Sequence, residues 1–116
     1  MDKRTLERFR KLLTERRGEL HNRLDSAKQH SRSHGPDQVK DEGDRAIASL
    51  NAEMSLSHQL QTERMLGAIS ATLLRIENAT FGECLNCGQE IGGKRLEAIP
   101  WSRYCITCQE LIHPTG

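Results

Sequence analysis

The chain has 116 residues, 28% of them charged, 35% hydrophobic and only 3% aromatic, with a net charge of +1. That bounds it to one domain or two small ones, too polar for a large globular core but suited to exposed helices with narrow apolar seams. Nowhere is there an apolar run of about eighteen residues, and Met1 to Leu6 lacks a signal-peptide hydrophobic region, so no membrane segment and a cytoplasmic location are expected. The small net charge hides an asymmetry. Residues 1–32 carry ten Lys/Arg against five Asp/Glu, 33–56 two against five, and 57–116 five against six. A basic helix face is more often solvated than a docking face. A chain that holds duplex DNA by its phosphates carries a larger positive excess, so strong direct DNA binding is not expected.

From Thr5, the residues Leu6, Phe9, Leu13, Leu20, Leu24 and Ala27 recur at alternating three- and four-residue steps, with one step vacant at Arg16/Arg17. This is the stripe of a long, coiled-coil-like amphipathic helix that Asp2 or Thr5 can cap. The run His30 to Asp37, with Gly35-Pro36 inside it, ends the helix.

Periodicity resumes near Asp44 and runs through Ile47, Leu50, Met54, Met65, Ile69, Leu73 and Ile76, ending around Asn78 to Gly82. Two helices of about 25 and about 35 residues then form an antiparallel coiled-coil hairpin over 1–80, with its tip near 31–43. A turn centred on Asp37 sets a register: Ala27 faces Ile47, Leu24 faces Leu50, Leu20 faces Met54, Phe9 faces Met65, and Leu6 faces Ala68/Ile69. The vacant step at Arg17 then meets Ser57, a polar layer in the second helix. A small second core is expected in residues 81–116, from Phe81, Ile91, Leu96, Ile99, Trp101, Tyr104, Ile106, Leu111 and Ile112, with a short C-terminal helix.

All four cysteines fall in that last segment, as Cys84-x2-Cys87, seventeen residues, then Cys105-x2-Cys108. Each pair supplies two sulfurs at the separation a tetrahedral Zn2+ needs, and the intervening segment folds one pair onto the other. The alternatives are two disulfides or two redox motifs, and a redox pair normally sits in a βαβ setting that this chain lacks. With four thiolates the shell is closed, leaving no position for a catalytic water. One structural zinc and no enzyme activity are expected. His113 lies near the module but is not required as a ligand, and His21, His30, His34 and His58 are scattered.

Between the cysteines the chain reads Gly82-Glu83-Cys84-Leu85-Asn86-Cys87-Gly88-Gln89-Glu90-Ile91-Gly92, then Arg95-Leu96-Glu97-Ala98-Ile99-Pro100. Upstream it reads Asp41-Glu42-Gly43-Asp44-Arg45-Ala46. The patterns G-x-C-x-x-C-G-x-x-I-G, R-L-E-A-x-P and D-x-x-D-x-A, in this order and spacing, resemble the DksA/TraR family of bacterial transcription factors. The resemblance covers most of the chain from Asp41 onward.

The resemblance implies a monomeric regulator that binds RNA polymerase. Its coiled coil would enter the secondary channel and bring Asp41, Asp44 and Ala46 at the tip near the catalytic centre, changing the lifetime of promoter open complexes. A plainer role fits the same residues, since Asp41 can cap the second helix and Asp44 can complement its dipole. The chain differs from the longer members. It begins almost at the first helix, and Ala68, Ile99 and Gln109 stand where those members have basic residues of the ppGpp site. A tetra-anionic ligand needs several cations, so that site is not expected here. The competing function is a nucleic-acid-binding four-cysteine module using Lys94, Arg95, Trp101 and Arg103.

Overall fold

The computed structural model describes residues 1–33 and 41–113. The Gly35-Pro36 turn and His34 therefore lie outside the described residues. Among the described residues four helices follow in order: α1 (Lys3–Ser33), α2 (Glu42–Glu77), α3 (Gly93–Ala98) and α4 (Ile106–Ile112). The described residues hold no strand, only one antiparallel bridge between Glu83 and Glu90. The fold is mainly α, an antiparallel two-helix hairpin followed by a four-cysteine module. Asp2 caps α1: its Oδ1 accepts from the Thr5 backbone N–H at 2.8 Å, satisfying one of the free amides of the first turn. That contact holds the Asp2 carboxyl below its ordinary value, chiefly by the hydrogen bonds from Thr5.

The chain forms two compact units, Met1–Glu15 with Ala68–Gly116, and Arg16–Gly67. In the first, Phe9 packs against Phe81 with ring centroids 5.2 Å apart. Around them lie Cys84, Ile91, Leu96 and Cys108, flanked by Leu6, Ile76 and Tyr104. Leu13, Ile69 and Thr72 are fully buried in the same unit. Thr72 satisfies its hydroxyl by donating to the Ala68 carbonyl at 2.8 Å and accepting from Arg75 at 3.0 Å. The C-terminus of α2 closes in a Schellman turn: the Thr80 N–H donates to the Arg75 carbonyl at 2.9 Å and the Ala79 N–H to Ile76 at 3.3 Å.

The stripe on α1 is as the spacing predicts, but the register is not. Phe9 meets Phe81, not Met65. In the second unit Lys28 pairs with Glu63 at 3.4 Å, where a turn centred on Asp37 would set it opposite Ala46. The α2 edge that turns inward there is Ala48, Ala52, Ser55, Gln59, Thr62 and Leu66, stepping four and three alternately, half-buried except for Leu66, which is buried. Ile47, Leu50 and Met54, expected opposite Ala27, Leu24 and Leu20, are 60%, 61% and 61% exposed. Ser57, expected opposite Arg17, is exposed as well; polar residues do line the inner edge, but they are Ser55, Gln59 and Thr62. Counting apolar residues selected the wrong edge of α2 from Ile47 to Met54, whereas Ile69 is buried and Met65, Leu73 and Ile76 are half-buried as the stripe predicts.

The second core is smaller than the sequence suggests. Phe81, Ile91 and Leu96 are buried and Trp101 and Tyr104 half-buried, but Ile99, Ile106, Leu111 and Ile112 are exposed. With only seven residues, α4 has room to bury one inward position, and Cys108 occupies it. The six-residue α3 has no counterpart in the sequence reading, since so short a helix shows no periodicity.

Candidate functional site

The four cysteines come from two kinds of local structure. Cys84 opens a tight knuckle in which its N–H donates to the Gln89 carbonyl at 2.8 Å and its carbonyl accepts from the Gly88 N–H at 2.9 Å. Gly88 closes that knuckle at φ 78°, a left-handed conformation that a side chain would strain. Cys105 is the N-cap of α4, and Cys108 stands one turn into the helix. The two pairs are joined where the Leu85 N–H donates to the Arg103 carbonyl at 2.9 Å.

All four Sγ atoms lie within 4.8 Å of one another, and those of Cys87 and Cys105 are 3.9 Å apart. A tetrahedral metal with sulfur at about 2.3 Å has sulfurs about 3.8 Å apart, so the donors fit such an ion with little adjustment. The cysteines are free, and 3.9 Å is far beyond a disulfide bond. Cys84 and Cys108 are buried, Cys105 is half-buried and Cys87 exposed.

The thiols do not share protons evenly. Burial pushes Cys84 up, but the backbone N–H groups of Cys87, Cys105 and Asn86, with the Cys87 thiol, outweigh it and hold Cys84 at about 6. At Cys108 the Asn86 amide, 3.4 Å from Sγ, favours the thiolate, yet the neighbouring sulfurs and burial push it up to about 12. The cluster gives up its first proton readily and its last reluctantly, as expected of four acids competing for one small volume. A divalent cation reverses that competition by making every thiolate favourable.

The R-L-E-A segment fastens the module to α1 and to its own loop. The Arg95 Nε donates to the Tyr104 carbonyl at 3.0 Å, Leu96 enters the core, and Glu97 takes a bidentate pair of hydrogen bonds from Arg8 on α1. Arg8 also lies over the Phe9 ring, 4.7 Å from its centroid. Of the cations proposed for nucleic-acid contact, Arg95 is therefore committed inward, and Arg103 stacks on Tyr104 at 5.5 Å. Ala68 and Gln109 are half-buried and Ile99 is exposed; none brings a charge. Neither the Arg8–Glu97 pair nor the Asn86–Cys108 contact is foreseen in the sequence reading. Asn86 inside the first Cys-x-x-Cys offered a signal, being a donor next to the sulfurs, but Arg8 and Glu97 are too far apart in sequence to suggest each other.

The acidic segment belongs to the other unit. The Asp41 carbonyl accepts from the Arg45 N–H at 2.8 Å, which makes Asp41 the residue that starts α2. Glu42 and Asp44 follow in the first turn, where the helix dipole favours negative charge. Asp41, Asp44 and Ala46 are all exposed, so Ala46 is not part of the inward edge.

A two-helix hairpin followed in sequence by four clustered cysteines defines a class of small, mainly α proteins with a C4-type module. Residues 79–112 match the prokaryotic dksA/traR C4-type zinc finger. Over 114 residues the chain is 32% identical to the RNA polymerase-binding transcription factor DksA of Escherichia coli K12, covering 96% of this chain and 73% of that protein. It is 31% identical to the Haemophilus influenzae protein of the same name, over 96% and 76% of the two chains. The transcription factor DksA2 from Pseudomonas aeruginosa superposes with a TM-score of 0.83 at 27% identity, over 96% and 84% of the two chains. The chain belongs to the DksA/TraR family.

Proposed function

We propose that this protein is a transcription regulator that binds RNA polymerase, and that the acidic start of α2 acts in the polymerase's secondary channel to alter initiation. The observation that carries this is an exposed Asp41–Glu42–Asp44 cluster at a helix start, in a chain that matches polymerase-binding factors over 96% of its length. Negative charge held on a helix end can reach metal ions or basic groups that an open loop would address less reproducibly. In this reading the protein works as a cytoplasmic monomer and catalyses nothing itself. Among the described residues no helix is long and apolar enough to cross a membrane. One Zn2+ would be held by Cys84, Cys87, Cys105 and Cys108, where it would cross-link the knuckle to α4 and supply folding energy with no open coordination position.

The test compares wild type with Asp44→Asn for polymerase binding and for open-complex lifetime. Asparagine removes an exposed first-turn charge, so the fold should be preserved. The expected result is retained binding with the effect on open-complex lifetime lost. A wild-type effect from Asp44→Asn at equal occupancy would reduce the acidic cluster to helix capping.

A further inference from the structure

Asn86 stands inside the first Cys-x-x-Cys, yet its side chain serves the second. Its Nδ2 donates to the Cys108 Sγ at 3.4 Å, across 22 residues of sequence. The backbone N–H of the same residue is directed at the Cys84 sulfur. Cys84 and Cys108 are the two buried cysteines, so one residue of the knuckle donates to a buried sulfur of each pair. The neighbouring Leu85 N–H reaches the Arg103 carbonyl at 2.9 Å, just before Cys105. Two adjacent residues of one pair therefore tie it to the other, one through the backbone and one through a sulfur.

The chemistry of the donor set gives that bond a use. Four thiolates around one divalent cation leave surplus negative charge on the sulfurs. An N–H donor to a ligand sulfur draws off part of that charge and fixes where the sulfur sits. Asparagine suits the position because its amide is an uncharged donor on a short stem. A leucine of similar shape has no donor, and an aspartate would aim acceptor oxygens at a thiolate. Thr107, the counterpart of Asn86 in the second pair, is exposed and makes no such bond. The two Cys-x-x-Cys turns are therefore not equivalent.

We propose that Asn86 is a positioning residue of the metal centre: its side-chain amide holds the Cys108 sulfur in place and tempers its charge, and so sets how tightly the four cysteines keep their ion. This rests on the zinc reading above. The test uses the full chain and two probes, Zn2+ in competition with a chromophoric chelator and Co2+ read through its sulfur-to-metal charge-transfer band. Asn86→Leu should bind Zn2+ about tenfold more weakly, or worse. At saturating Co2+ its band should move to longer wavelength, because a sulfur relieved of a hydrogen bond releases electrons more easily. A change in packing alone leaves the band of a bound ion in place. Asn86→Gln, which keeps the amide on a longer stem, should bring the band back toward wild type and recover part of the affinity. Thr107→Val should match wild type in both measurements. In wild type loaded with an NMR-active cadmium isotope, scalar coupling should link the metal to the Asn86 side-chain protons.

Wild-type affinity and an unshifted band in Asn86→Leu would overturn the role of Asn86 while leaving the zinc reading intact. Weaker binding with an unshifted band would overturn it too, since the side chain would then act through packing. An equal shift in Thr107→Val would do the same, by showing that the band answers to any change between the cysteines. Where Asn86→Leu takes up too little metal to give a band, the cadmium coupling in wild type decides: its presence supports the bond and its absence overturns it. If wild type binds no metal, the zinc reading fails and this inference fails with it.

Discussion

The two compact units are built from the same two helices yet solve opposite problems. Met1–Glu15 with Ala68–Gly116 buries Phe9, Leu13, Ile69 and Leu96 almost completely and holds the four-cysteine cluster. Among its described residues Arg16–Gly67 buries only Leu20, Leu24 and Leu66, and the rest of the inward α2 edge is alanine, serine, glutamine and threonine while larger apolar residues are exposed. The first unit uses its apolar side chains for cohesion. The second withholds them from its own core, which is the arrangement expected where a surface has to meet another macromolecule.

The strongest way to break this comparison is to remove the metal. Chelation should unfold α3, α4 and the Phe9–Phe81 core, because the first unit's core is built around the cysteines. Hydrogen exchange should show that loss at residues 81–113, while amides of 16–33 and 42–67 change little. Uniform loss across both units would show that they are not separate in stability. Acid should act in the same direction. Cys84 is held at about 6, below an ordinary thiol, so its thiolate favours the folded metal-free finger in full above the ordinary thiol range, and that contribution is lost as pH falls through 6. Cys108, raised to about 12, has to surrender a proton to any metal bound near neutral pH. Metal affinity should therefore fall as pH falls, and binding heats should vary with the buffer's ionisation enthalpy.

Next in size are core truncations. Phe9→Ala should destabilise the first unit by about 3–5 kcal/mol, since it empties a fully packed aromatic site. Leu24→Ala should cost the second unit less, at or below about 2–3 kcal/mol, because an adjoining groove between the helices already leaves one side of the leucine without partners. Met54→Ala should fall within about 0.5 kcal/mol, in line with its exposure. Denaturant melts with a probe in each unit would check the order. A large loss in Met54→Ala would mean that the outward stripe is part of the core after all.

Those three residues also mark how far the sequence could be read. The α1 stripe from Leu6 to Ala27 was legible because its buried positions are its large apolar ones. The cysteine spacing foretold the sulfur cluster, because a metal site imposes fixed separations on the chain. On the first half of α2 the rule failed, where Ala48, Ala52, Ser55, Gln59 and Thr62 turn inward although Ile47, Leu50 and Met54 are more hydrophobic; on the second half it held, with Ile69 buried and Met65, Leu73 and Ile76 half-buried. Hydrophobic periodicity finds a face by assuming that the largest apolar residues are buried, and a helix whose inward edge is short-chained breaks that assumption. The Arg8–Glu97 and Arg95–Tyr104 contacts were hidden for a different reason, since each depends on tertiary proximity that no local pattern encodes.

A small effect gives the sharpest contrast, because one substitution should change sign between the units. Ala79 is the left-handed residue of the Schellman turn that ends α2, at φ 59°, where its Cβ crowds the following carbonyl. Glycine adopts that conformation without the clash, so Ala79→Gly should stabilise the first unit by about 0.5–1 kcal/mol, net of the entropy it adds to the unfolded chain. The Thr80 to Arg75 and Ala79 to Ile76 hydrogen bonds are made by the backbone and survive the change. Ala52, half-buried in the interior of α2, is the counterpart in the second unit. There Ala52→Gly removes the best helix former from right-handed backbone, together with a half-buried methyl, and should cost about 1 kcal/mol. Unit-resolved hydrogen exchange on both variants would check the pair: protection should rise around 68–113 in the first and fall around 42–67 in the second. A loss of stability in Ala79→Gly would mean that unfolded-chain entropy outweighs the relief of the left-handed strain.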